Sequence, residues 1–154
     1  MQLQYLLSTD AILPNLPAST KKLALQDISD LAGRISGLPA REIFDCLLQR
    51  ERLGSTGVGS GIAIPHGRMA KATQIFGVFA RLEKPIQFDA LDGAPVDLIF
   101  MLIAPESAGA DHLKALSRVA RVLRDSKMTE RLRAARDAAA IYAMMTVTPA
   151  SHAA

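Results

Sequence analysis

Apolar residues recur at helical spacing between Thr20 and Ser36, where Ala24, Ile28, Leu31 and Ile35 fall on one face. Ser19 or Thr20 is available as the N-cap, and Gly37 lies just past the end. A second helix is predicted from Pro39 to about Leu53, with Gly54 as its stop. Its buried stripe is Ile43, Phe44, Leu47 and Leu48, and Arg50 falls on that same inward side. Strands are predicted around Ala11 to Leu13, at Ile62-Ala63-Ile64, and from Gln74 to Leu82. Pro65 must end the pairing of the second of these or sit on an edge. Val96 to Ile103 is a continuous apolar run, the pattern of a strand buried on both faces, and Asp92-Gly93 before it signals a turn. Asp111 is placed to cap a helix from His112 to about Asp125, on which His112 shares a stripe with Leu116, Val119 and Leu123. Two short helices, near Lys127 to Ala135 and Asp137 to Met145, complete the pattern. Helices before, between and after strands predict an α/β fold, a mixed β-sheet sandwiched between helices on both faces. One domain over residues 1–146 is expected, with residues 147–154 a flexible tail.

Composition narrows the class. The chain has 154 residues, the size of one domain, and its 49% hydrophobic content is enough for a real core. A formal charge of +3 does not demand nucleic acid, and the arginines after residue 117 read as a solvated helix face. Cys46 is the only cysteine, so no intrachain disulfide can form, and its apolar helical setting reads as structural. No apolar run approaches the roughly 20 residues of a membrane span. Met1 to Asp10 lacks the basic and apolar regions of a secretory signal. A soluble, cytoplasmic protein is the expectation, without nucleic acid or membrane insertion.

The sharpest residue is His66, between Pro65 and Gly67 at the end of a buried strand. Glycines at 57, 59, 61 and 67 would let backbone N–H groups approach an anion. A neutral imidazole is a competent nucleophile toward phosphoryl groups, the alternative being a histidine that merely caps the strand end. Arg50 on an inward stripe either meets an anion in a cleft or holds the last carbonyls of its helix. His112, in a first helical turn, stands where anions are favoured; the alternative is a half-buried surface histidine. The glycine-rich stretch is neither a Walker A loop nor a dinucleotide fingerprint, and its serine falls one place late for a nucleophile elbow. Two histidines with no third ligand at metal spacing leave no zinc site to expect.

The run Leu47-Leu48-Gln49-Arg50-Glu51-Arg52-Leu53-Gly54-Ser55-Thr56-Gly57-Val58-Gly59-Ser60-Gly61-Ile62-Ala63-Ile64-Pro65-His66-Gly67 closely resembles the active-site signature of fructose/mannitol-type IIA domains of the bacterial phosphotransferase system. Pro85 to Leu98 resembles the middle segment of that family, and His112 to Ser117 the helix that brings in its second histidine. In detail the chain is most similar to the nitrogen-regulatory branch, EIIA-Ntr. The resemblance implies a PTS IIA fold and a phosphotransferase component forming a phosphohistidine on His66. Arg50 and His112 match the pair that stabilises the phosphoryl group, and Ser55 and Thr56 match a hydroxyl pair with a supporting phosphoryl-binding role. It implies an HPr-like donor (NPr) and regulatory targets such as potassium-transport regulators or sensor kinases, with no cofactor or metal in the IIA step. A sugar-specific, fructose-type IIA component passing phosphate to a IIB partner is the alternative.

Overall fold

The computed structural model describes residues 2–146. Its centre is a six-stranded mixed sheet, ordered β1-β5-β6-β3-β2, with β4 also paired to β6. The strands are β1 Ile12–Leu16, β2 Gly57–Gly59, β3 Ile62–Ala63, β4 His66–Met69, β5 Phe76–Ile86 and β6 Val96–Pro105. The helices are α1 Lys21–Ser36, α2 Ala40–Arg52, α3 Gly109–Arg124, α4 Ser126–Ala134 and α5 Ala138–Met145.

Strand β6 organises the molecule. Leu98 to Ala104 are all fully buried, and successive side chains point to opposite faces, so layers must cover both sides of the sheet. Helices α1 and α2 pack together, with α1 against β5 and α2 against β4, while α5 meets β1 and α3 meets β6. β5 runs antiparallel to β6 and pairs Phe79 with Phe100, whose rings sit 6.2 Å apart between centroids. Each such buried phenyl contributes about 2–3 kcal/mol by leaving water. β5 continues past the predicted Leu82 because a register shift after Arg81 lets Ile86 re-pair with Val96 beyond Pro85. Arg81 then ties layers together, its Nε donating to Pro14 O (2.8 Å) and its Nη1 to Leu132 O (2.8 Å) and Ala135 O (2.7 Å).

The helix boundaries follow their caps. Thr20 Oγ1 accepts from Leu23 N at 3.2 Å, and Gly37 closes α1 in the left-handed region at φ 78°. Pro39 is the extended N-cap of α2 and not its first helical residue. α3 begins at Gly109, ahead of the expected start, so Asp111 lies in the first turn and caps nothing. Asp125 ends α3 and caps α4, its Oδ1 accepting from Lys127 N and Met128 N. The predicted tail at 147–154 falls outside the described residues.

The glycine-rich stretch folds as a hairpin. β2 and β3 pair antiparallel across Ser60-Gly61, with positive φ at Gly59, Ser60 and Gly61. Asp92 pins this turn by accepting from Ser60 N, and that bond, with a second from Ala94 N, holds its carboxyl below the usual range. These glycines therefore make a tight turn at the sheet edge. The expected anion cradle at 57, 59 and 61 is not formed, and only Gly67 reaches the cleft described next.

Candidate active site

β3 and β4 both run parallel to β6 along one of its edges, separated by Ile64-Pro65. Pro65 has no N–H to continue the ladder, so pairing breaks there and resumes at His66 opposite Leu102. His66 thus opens a strand, whereas its predicted place was at a strand's end. The carbonyl of Ile64, whose N–H donates to Thr56 O on the side away from β6, lies 2.8 Å from His66 Nδ1. A carbonyl only accepts, so Nδ1 carries the proton and the lone pair of the neutral ring sits on Nε2. Among the described residues, no protein group is hydrogen-bonded to Nε2.

The cleft holding His66 has a volume of about 600 Å³. Cys46, Gln49, Arg50 and Leu53 line one wall, spaced i, i+3, i+4 and i+7 along α2 and its last turn. The buried stripe of α2 is Ile43, Leu47 and Glu51, turned partly away from that wall. Arg50 is accordingly half-buried at the edge of the stripe, and does not point into the core as its spacing had suggested. Its Nη1 donates to Gly54 O at 2.8 Å, so it holds the end of its own helix and faces the cleft at once. A guanidinium has five N–H donors, which leaves most of the fork for an anion.

His112 comes from α3. It is buried, 4% exposed, and its ring stands 5.7 Å from that of His66 at 69° between planes. Its Nε2 is buried without a hydrogen-bond partner among the described residues. An orphaned buried nitrogen costs about 1–3 kcal/mol. Burial lowers the pKa of His112 below the ordinary 6.5, and His66 and Arg68 push it the same way. His66 is also lowered from 6.5, chiefly by burial and further by Arg50, with the Ile64 carbonyl and Glu51 opposing. Both rings are therefore neutral near pH 7. Cys46 faces the same space, but burial raises its thiol pKa, so it is no thiolate nucleophile.

The structure brings His66, Arg50 and His112 into one cleft and leaves Ser55 and Thr56 outside its lining. Ser55 Oγ donates to Phe88 O (2.8 Å) and accepts from Gly57 N (3.0 Å). Thr56 is buried, and its N–H and hydroxyl both donate to the carboxylate of Glu51. Glu51 in turn meets Lys21 Nζ at 2.9 Å. Sequence reasoning passed over Glu51, although Ile43, Leu47 and Glu51 at i, i+4 and i+8 place it on the buried stripe.

Comparison with known proteins bears on this geometry. Residues 5–147 match the family model described as phosphoenolpyruvate-dependent sugar phosphotransferase system, EIIA 2. The nitrogen regulatory protein of Bradyrhizobium diazoefficiens is 53% identical over 151 residues, covering 98% of this chain and 99% of that protein. That of Escherichia coli K12 is 43% identical over 149 residues, covering 96% and 91%. The crystal structure of nitrogen regulatory protein IIA-Ntr from Neisseria meningitidis superposes with a TM-score of 0.88 at 39% identity, covering 92% of this chain and 97% of that one.

Proposed function

This chain belongs to the EIIA 2 family of the phosphotransferase system and to its nitrogen-regulatory branch, and on that premise we propose that it carries a phosphoryl group on Nε2 of His66. The observation that carries the reading is the His66 ring itself. Its Nδ1–H is held on Ile64 O, its Nε2 lone pair has no partner among the described residues, and the ring lines a cleft shared with Arg50 and His112.

The step balances as a transfer between two imidazoles. Nε2 attacks the phosphorus of a phosphohistidine on an HPr-like donor (NPr), whose ring is protonated at its other nitrogen. The new P–Nε2 bond forms as the donor's P–N bond breaks, and the donor leaves as neutral imidazole. Positive charge that develops on the His66 ring is met by the Ile64 carbonyl through Nδ1–H. Negative charge on the equatorial phosphoryl oxygens is met by Arg50 and by the His112 ring, which lines the same cleft.

Phosphorylation then adds a charge near −2 to a cleft whose fixed ions include Arg50 and Arg68, altering any docking surface around it. Regulation by phosphorylation state in the cytoplasm follows, with targets of the kind bound by this branch, such as potassium-transport regulators or sensor kinases. No helix among the described residues is long and apolar enough to cross a membrane. The test is intact-mass spectrometry after incubation with phosphoenolpyruvate, enzyme I and an HPr-like carrier. One acid-labile phosphoryl group on the wild type and none on His66→Ala is expected. No adduct on the wild type, with a donor verified on another acceptor, would refute the carrier function.

A further inference from the structure

Glu51 is the most deeply placed charge near the cleft, with its side chain only 3% exposed, yet it lines no part of that cleft. A carboxylate at such depth is retained only when its oxygens are saturated and its charge is balanced. Lys21, the first residue of α1, supplies the charge from 2.9 Å, and its ammonium also lies 4.5 Å over the Phe88 ring. Thr56 N–H donates to Glu51 Oε1 at 3.1 Å, and the Thr56 hydroxyl donates to Oε2.

The chain of bonds continues to the reacting ring. The carbonyl of Thr56 accepts from Ile64 N at 3.0 Å, and the carbonyl of Ile64 accepts from His66 Nδ1 at 2.8 Å. Ile64 pairs with no residue of β6, and its N–H takes Thr56 O as its backbone partner. Its orientation is therefore set from Thr56, and that of Thr56 from Glu51.

Resting on the carrier function above, we infer that Glu51 is a positioning residue for phosphoryl transfer, acting through Thr56 and Ile64 to hold His66 as the Nδ1–H tautomer with Nε2 as its nucleophile. It touches neither the reacting atoms nor the phosphoryl group. Its charge acts in the same sense, since it opposes the effect of Arg50 on the ring and so keeps Nε2 basic enough to attack. The seat of Thr56 beneath the loop, facing Glu51 and not the cleft, is what this role requires.

The experiment uses the full chain in three forms: wild type, Glu51→Ala and Glu51→Gln. Long-range ¹H–¹⁵N spectra of the imidazoles read the His66 tautomer, and phosphorylation by phosphoramidate reads the reactivity of Nε2 without any protein donor. Glu51→Ala is expected to shift population toward Nε2–H and to slow phosphorylation at least about tenfold, the scale of a misoriented nucleophile. Glu51→Gln keeps an oxygen for Thr56 N–H, so it should retain the tautomer while His66 titrates lower than in wild type. If Glu51→Ala does not fold, Thr56→Val carries the same test, since it removes only the hydroxyl link. A folded variant that melts lower but keeps the His66 tautomer, titration and rate would reduce Glu51 to a structural ion pair and overturn the inference. Failure of the carrier function looks different: wild type would show the Nδ1–H tautomer and take no phosphoryl group from either donor.

Discussion

Gly67 follows His66, and the packing around it makes a quantitative test of how closely the cleft is set. A Cβ built on Gly67 would stand 2.4 Å from Cys46 Sγ, where ordinary van der Waals contact begins at 3.4 Å. Gly67→Ala must therefore push aside Cys46 Sγ or part α2, which carries Arg50, from β4, which carries His66, by up to about 1 Å. Overpacking of this size costs about 1–3 kcal/mol, or roughly 3–9 °C in Tm for a domain of this length. Displacing a catalytic group by about 1 Å costs on the order of a hundredfold in rate, so the rate of phosphoryl transfer to His66 should fall far more than stability does. The second variant makes the reasoning specific. With Cys46→Ala in the same chain, the next atoms the new methyl meets are Cys46 Cβ and O, both at 3.8 Å, which is ordinary contact. Thermal melts and single-turnover phosphorylation of the two single variants and the double variant complete a cycle. Recovery of both rate and Tm in the double variant is expected. A Gly67→Ala protein that transfers at the wild-type rate, or a double variant that stays slow, would show that the α2–β4 spacing does not set the site.

His112→Phe replaces an orphaned buried polar atom with an apolar ring. Its stability, read by denaturant unfolding, should lie within about 1 kcal/mol of wild type or above it, while transfer slows by tenfold or more. Because His66 and His112 both have folded pKa values lowered below 6.5, the unfolded chain binds more protons between those values and 6.5. Stability therefore rises with pH across that window, is fully present above 6.5, and is lost as pH falls through the lowered folded values. Melts of wild type against His66→Ala/His112→Phe should show that slope only in the former, and the wild-type transfer rate should fall over the same acidic range. Thr20→Ala removes the N-cap bond to Leu23 N and should cost about 1 kcal/mol in thermal unfolding without changing the transfer rate.

Much of this was legible in residue order because it depends on local chemistry. Helical spacing and caps located α1, and the short helices α4 and α5 were placed to within a residue or two, while the unbroken apolar run of β6 announced a strand covered on both faces. His66, Arg50 and His112 could be singled out because a nucleophile beside proline and glycine, a charge near an apolar stripe and a histidine near a helix start are each unusual in one dimension. Distance along the chain cannot say which of two partners a polar group chooses, and there tertiary structure decided. Ser55, Thr56 and most of the glycine-rich stretch sit next to the signature, but Phe88, Glu51 and Asp92, brought close only by folding, take their hydrogen bonds. The tautomer of His66 is likewise a tertiary fact. It depends on the carbonyl of Ile64, which the path of the chain from β3 into β4 brings within 2.8 Å of His66 Nδ1. Sequence supplied the imidazole; the folded backbone determined which of its nitrogens carries the proton.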